Sequence, residues 1–390
     1  MPIENVKQNS VLIEKIELFL QAGYSANEEF NSAFSGEEAV IIRSRKDSNN
    51  EYKYDASEIL YWVDRQLYLD ELDSWSDEFL QNRHSLAIDF LKSSDQIPVF
   101  LDLIELIRRH KITPFLGAGV SKAANYPLWG EALKTLSNKI TNINPQDISC
   151  LLEEDKFLEA AQKIADASEH QLKNYIATRF RTIYDSDEDR EKIPPLFKLL
   201  PRLSSGCIVT TNFDCLIEET FKIKGTPLID GYMHGIQQGN NFIQSLLKGN
   251  RCILKLHGDA SQSQTYVFTE KEYKNAYGDP INFSNQLPKA LRQIYISNSL
   301  LFVGCSLAQD KTLELFKEVK DSEQFAIPDH FAIISYPENE EKKQIIEDRL
   351  FAINIRPIWY ETEKYHQMVT KLIELAVDIA DRRVNLGVKK

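Results

Sequence analysis

From residue 99 onward, short unbroken apolar runs alternate with longer stretches of helical spacing. ITPFL (112–116), the runs opening GCIVTTNFD and RCILKLHGD, SLLFV (299–303), HFAIIS (330–335) and IRPIWY (355–360) are four to six residues long and do not alternate with polar positions. Such runs predict strands buried on both faces. Between them VFLDLIELIRRH, WGEALKTLSNKI, LLEEDKFLEAAQKIADA and QLKNYIATRF carry helical spacing, and HQMVTKLIELAVDIADRRV predicts a closing helix. The alternation predicts a doubly wound, Rossmann-like parallel α/β sheet over 101–390, with a helical insertion at about 131–200.

Residues 1–100 read differently. VLIEKIELFLQ has apolar positions at 12, 13, 16, 18, 19 and 20, and ASEILYWVDRQLYLDELDSW clusters Tyr61, Trp62, Leu67, Tyr68, Leu69 and Leu72. Both predict helices; RKDSNNEYKYD between them reads as a polar loop, and SSDQIP (93–98) as the boundary. Residues 1–95 hold 9 Lys and Arg against 19 Asp and Glu, nearly all of the net charge of −12. An acidic, mainly helical region with aromatic faces and no evident chemistry suits assembly or regulation.

Composition narrows the class. Hydrophobic residues make up 43% and charged residues 27%, ordinary for a globular protein. No apolar run approaches the roughly 20 residues needed to cross a bilayer, and MPIENVKQNS has the features of neither a signal nor a transit peptide. A cytoplasmic location without membrane contact is expected. The acidic balance argues against direct nucleic-acid binding. Of five cysteines, Cys207, Cys252 and Cys305 lie in apolar runs and no CxxC pair occurs, so small buried thiols are expected rather than a zinc site or disulfides.

The candidate chemistry falls at strand ends, where open α/β sheets bind ligands. Gly117-Ala118-Gly119-Val120-Ser121 lets backbone approach a pyrophosphate at the start of a helix; Lys122 stands where the third Gly of a dinucleotide fingerprint would be. Thr210-Thr211-Asn212-Phe213-Asp214 offers two short polar side chains that could orient a ribose and an amide, or simply cap a helix. His257, before Gly258 and Asp259, should sit at the rim, where an imidazole of pKa about 6.5 handles protons near neutrality. Gly304-Cys305-Ser306-Leu307 can hold phosphate through Ser306. It is also similar to a hydrolase elbow with His330 or His366 as partner, although little chain remains beyond it to complete a triad. No Walker A sequence is present.

The order GAGVS, TTNFD, LHGD, FVGCSL resembles the sirtuin family, over residues 105 to about 380. Tyr126-Pro127-Leu128-Trp129 stands where that family has Gly-Ile-Pro. The two CxxC pairs of protein-deacetylating sirtuins are missing, since residues 258–303 hold no Cys, and Thr211 and Phe213 replace Gln and Ile. These departures, with VFTEKEY and LLFVGCSLAQD, resemble the bacterial sirtuin-like NADases of anti-phage defence. The resemblance implies NAD+ as substrate, hydrolysed to nicotinamide and ADP-ribose, with no metal. It assigns Asn212, His257 and Asp214 to catalysis. Gly117, Ala118, Gly119, Ser121, Pro127, Trp129, Thr211, Phe213, Gly304, Ser306 and Leu307 would contact NAD+. It also implies a homo-oligomer, with a hexameric ATPase or a phage-derived activator as candidate partner. An NAD-dependent deacylase and a non-catalytic NAD or ADP-ribose sensor or structural subunit stay open as alternatives.

Overall fold

The computed structural model describes the chain except residues 1–9, 38, 45–49, 182–183, 185, 229–230, 240, 308–310, 363–366 and 382–390. The described residues fall into two compact units, one up to Leu86 and one from Ala87 to Asp381. Among them no helix is long and apolar enough to cross a membrane.

The smaller unit is mainly helical. Helices Ser10–Ser25, Glu28–Ser35 and Ala56–Val63, and the start of the long helix Arg65–Ser93, surround Phe30, Tyr61 and Tyr68, against which Leu20, Tyr24 and Trp75 pack. The aromatic residues seen in the sequence are thus this unit's core. Their hydroxyls are satisfied locally: Tyr61 Oη donates to Leu20 O at 2.6 Å and Tyr68 Oη to Asn31 Oδ1 at 2.7 Å, as buried phenols require. One expectation is corrected. Part of the segment read as polar loop is a strand, β2 (Glu51–Tyr54), which pairs antiparallel with β1 (Val40–Arg43) in the register Val40↔Tyr54. Every residue of the two strands is exposed, so no buried face produced the period-two pattern that would have marked them.

The larger unit is built on an eight-stranded sheet. Its strands are β3 (Ile112–Leu116), β4 (Cys207–Thr210), β5 (Tyr232–His234), β6 (Gln237–Gln238), β7 (Cys252–Lys255), β8 (Ser299–Val303), β9 (His330–Ser335) and β10 (Ile355–Tyr360), in the order β10-β9-β8-β3-β4-β7-β5-β6. All neighbours are parallel except β5 and β6. The Rossmann-like α/β expectation holds, with an antiparallel edge added. That edge is too short, two and three residues, to leave a periodic signal.

From β3 the chain goes first to β4 on one side and later returns to β8 on the other, so β3 and β8 flank the switch point where connections leave for opposite edges. On one face Phe115, Val209, Leu254, Leu300 and Phe302 share a core with Leu291, Tyr295, Leu315 and Phe316 of helices Gln286–Ser297 and Lys311–Ser322. Helix Ile97–Arg108 packs on β10 and on helix Gln367–Ala380, which also meets Pro195–Leu203.

Helices Trp129–Ser137, Pro145–Glu153 and Phe157–Arg179 have their own apolar cluster, completed by Phe213, Ala260, Tyr266 and Phe268 from the loops after β4 and β7. The helix expected from Leu151 is interrupted at Glu154–Lys156, where Asp155 takes φ 58°. Phe157–Arg179 bends at Ser168, whose φ of −164° is extended rather than helical, at the place where the sequence pattern separates two helices.

Candidate active site

The turns after β3 and β8 interlock at the switch point. Gly117 N–H donates to Val303 O at 2.9 Å and Gly119 N–H to Gly304 O at 3.0 Å. A Cβ on Gly117 would lie 2.4 Å from Gly304 O, and one on Gly304, whose φ is 67°, would lie 2.6 Å from Val120 N. The glycines therefore serve turn-on-turn contact, and the Gly119 N–H is already committed within the protein. The first of these turns leads into a short helix, Ala118–Ala124, of 3-10 form.

The end of β4 is tied to the same turn. Thr210 Oγ1 donates to Leu116 O at 2.9 Å and accepts from Asn212 N at 3.0 Å. Asn212 Nδ2 donates to Gly117 O at 3.1 Å and to Ser121 Oγ at 2.8 Å. Asn212 and Ser121 are both buried. Two residues on, Asp214 Oδ1 accepts from Leu216 N at 3.1 Å, the cap that turn chemistry anticipates. Its Oδ2 is buried without a hydrogen bond. Burial pushes the Asp214 carboxyl upward, against the pull of Lys255.

Lys255 was not anticipated from the sequence. It ends β7, is fully buried, and its Nζ donates to Phe213 O at 3.2 Å, Asp214 O at 2.7 Å, Glu218 Oε1 at 2.9 Å and Asp259 Oδ2 at 2.7 Å. One ammonium thus fastens the loop after β4 to the loop after β7. The signal was legible in ILKL: a lysine closing a buried strand requires paired anions. Its carboxylate partners raise the Lys255 pKa although burial alone would lower it. Asp259 is the converse: burial acts upward, but Lys255 and Ser261 overcome it and hold the carboxyl at about 2. Glu218, His234 and Asp259 bring ligand-type atoms within 4.8 Å of one another, but the ammonium of Lys255 already bonds two of the three and supplies the compensating cation.

His257 does not sit at the rim. It is 7% exposed, and Trp129, Phe213 and Tyr273 lie against it at ring-centroid distances of 5.2, 6.0 and 5.9 Å. Phe268 packs on both Trp129 and Phe213, at 5.1 and 5.5 Å. Desolvation in this aromatic shell lowers the His257 pKa to about 4, so the ring is neutral at pH 7, where an ordinary imidazole is about one quarter protonated. Its Nε2 is 2.7 Å from Tyr273 Oη. Tyr273, Tyr266 and Phe268 were not anticipated as site residues; the aromatic run after HGD was their only trace. Trp129 Nε1 is also buried without a partner, so this shell contains an unpaired donor.

Asn212, Ser121, Gly117 and Gly304 are thus joined directly, and Phe213, Trp129 and His257 form a second group, linked through the Thr210–Asp214 segment. Thr211 Oγ1 reaches Asn212 Oδ1 at 3.4 Å. Ala118 is half-buried in the turn, Ser306 is exposed at the end of β8, and Leu307, at φ 48°, is buried in the sheet core. Pro127 is half-buried beside Tyr126, which stacks on Phe180. A cleft of about 550 Å³ shares Tyr266 and Phe268 with the His257 shell but includes neither His257 nor Asn212. His330 is a core residue: its Nδ1 accepts from Leu300 N at 3.0 Å and its ring stacks on Tyr295, so it completes no hydrolase triad with Ser306. His366 lies outside the described residues.

Residues 206–358 match a family model described as the SIR2-like domain. The NAD(+) hydrolase ThsA of Acinetobacter baumannii (strain 532279) is 26% identical over 205 residues, covering 52% of this chain and 38% of that protein. The chain thus aligns with well under half the length of that relative. The matched stretch includes the strand ends carrying Asn212, His257 and Ser306, so over residues 206–358 this Rossmann-like α/β unit is similar to a SIR2-like domain.

Proposed function

We propose that this chain is an NAD+ glycohydrolase, releasing nicotinamide and ADP-ribose. The observation that carries the reading is the bridge from Asn212 to Gly117 and Ser121 at the switch point, with buried, neutral His257 on the neighbouring loop. The similarity to an NAD(+) hydrolase supports it.

The chemistry asks little of the protein. Nicotinamide leaves a cationic nitrogen as a neutral base, so no general acid is needed. The ribose passes through an oxocarbenium-like state, as in glycoside cleavage, and a water must be placed at C1′. Asn212 orients that water and the ribose, Asp214 holds the carboxamide, and His257 takes a proton from the water or through a ribose hydroxyl. Ala118, Ser121 and Ser306 form the phosphate side, on turns that Gly117, Gly119 and Gly304 hold together, with Thr211, Leu307 and Pro127 supporting it. Trp129 and Phe213 exclude stray water.

The wider reading is depletion of cellular NAD+ in phage defence, in the cytoplasm. Residues 1–100 would assemble copies of the chain or hold it in check until an ATPase subunit or phage component releases it. Release of nicotinamide from NAD+ by the purified full chain tests the core of this. His257→Ala and Asn212→Ala should each lower turnover by about 10²–10⁴-fold. Turnover that survives both substitutions would defeat the site assignment. Saturable NAD+ binding without turnover would instead favour the sensor alternative.

A further inference from the structure

Thr210 is the last residue of β4 and is fully buried. The sheet satisfies the backbone around it: Thr210 O accepts from Leu256 N at 2.8 Å, and Thr211 N donates to Leu116 O at 3.1 Å. A valine would fill the same β-branched place in this strand, and a buried hydroxyl costs free energy unless it is bonded. The ladder itself therefore has no use for the hydroxyl.

Its partners show what it is for. Leu116 O can only accept, so the Thr210 hydroxyl proton points to it, at 2.9 Å. Asn212 N can only donate, so it takes a lone pair of the same oxygen, at 3.0 Å. A hydroxyl that accepts from the N–H two residues on fixes a local turn. Here it fixes the first step of the chain beyond β4, where the backbone has left the strand. The Asn212 side chain is set by the same logic. Gly117 O only accepts, so Nδ2 faces it, at 3.1 Å, and Nδ2 also donates to Ser121 Oγ at 2.8 Å. Both amide hydrogens are then committed, while Oδ1 has the long bond from Thr211 Oγ1 at 3.4 Å. Leu116 and Gly117 are consecutive, so the Thr210 hydroxyl and the Asn212 carboxamide are anchored on neighbouring carbonyls at the end of β3.

We propose that Thr210 is a positioning residue for Asn212: its hydroxyl sets the Asn212 backbone at the distance from Gly117 at which the carboxamide can use both hydrogens and leave Oδ1 for a ligand. The consequence for NAD+ hydrolysis rests on the function proposed above, in which Asn212 orients the water and the ribose.

Two variants of the full chain test it. Thr210→Val removes the hydroxyl and keeps the shape; Thr210→Ser keeps the hydroxyl. In Thr210→Val, kcat for NAD+ should fall about 10²-fold, as for a misplaced orienting group, with KM within about twofold. Thr210→Ser should recover most of that loss. A merely structural role would lower stability in denaturant unfolding but leave kcat per folded molecule intact. Unchanged kcat in Thr210→Val, or no recovery in Thr210→Ser, overturns the proposal. A second reading needs no NAD+: solvent exchange of the Asn212 side-chain amide in ¹⁵N-asparagine-labelled protein, assigned by its loss in Asn212→Asp. Both hydrogens should exchange slowly in the wild type and about tenfold faster or more in Thr210→Val. Fast exchange in the wild type, or equal protection in Thr210→Val, overturns the proposal. The wild-type spectrum and Thr210→Ser do not depend on Thr210→Val folding. Absence of both NAD+ binding and turnover in the wild type counts against the proposed function, and amide exchange still decides the role of Thr210.

Discussion

The larger unit and the smaller one handle polarity in opposite ways. In the larger, polar side chains go inside and are held by one another: Lys255 is fully buried with four oxygen partners, and Asn212 bridges two strand-end turns. In the smaller, large apolar side chains lie outside: Leu18 is 71% exposed, Phe19 77% and Val63 79%, and both strands of its hairpin are uncovered. A buried polar network costs desolvation that only fixed geometry offsets, so it marks a place built for one arrangement. Exposed apolar surface gains nothing until something covers it, so it marks a place built for contact.

Lys255 offers the sharpest break in that comparison. Lys255→Met keeps the side-chain length but leaves the carboxylates of Glu218 and Asp259 without their cation. The larger unit should lose about 3 to 5 kcal/mol in denaturant unfolding; a loss below about 1 kcal/mol would mean the cage is not holding the loops. Gly304→Ala comes next. It combines φ 67° with a Cβ 2.6 Å from Val120 N, and should cost roughly 1 to 3 kcal/mol and weaken NAD+ binding in a titration. Unchanged affinity would separate the interlocked turns from the ligand site.

A third prediction uses acid. His234 and His257 are held at about 4 and His330 at about 3, in each case chiefly by desolvation. The unfolded chain takes up protons below about 6.5 that the folded chain refuses until about 4, so these groups stabilise the fold above pH 6.5 and that contribution drains away as pH falls to about 4. Asp214 and Glu218, raised by burial, act in the opposite sense. The direct reading is proton NMR: the three imidazoles should not titrate between pH 7.5 and 5.5. A midpoint near 6.5 for any of them would show that its site admits water.

The smallest effect on stability is expected in the smaller unit. Phe19→Asp and Val63→Asp should move its unfolding free energy by no more than about 0.5 kcal/mol, yet lower the sedimenting mass of the full chain if copies associate through this surface. An unchanged mass would take assembly away from this region.

Much of the candidate site was legible in the primary structure. TTNFD, HGD and the two glycine turns fall at strand ends because strands buried on both faces are continuous apolar runs, and those are easy to find. His257 was found but misplaced: position after a strand does not tell whether aromatic residues will close over it, and here Trp129 and Phe213 come from the loops after two other strands while Tyr273 comes from the run that follows. Lys255 was missed because its four partners are spread over residues 213–259 and meet only in three dimensions. The strands Val40–Arg43 and Glu51–Tyr54 were missed because every one of their residues is exposed.

By itself the sequence determined the α/β architecture, the strand ends and the residue types gathered there, since hydrophobic periodicity and turn chemistry are local. Only the tertiary structure decided which groups touch: that the Gly119 N–H is taken by Gly304, that Asn212 ties the end of β4 to the turn after β3, and that His257 is buried beside Tyr273. Hydrogen-bond partners and desolvation depend on what the fold brings across the sheet, and hydrophobic periodicity along the chain carries no record of that.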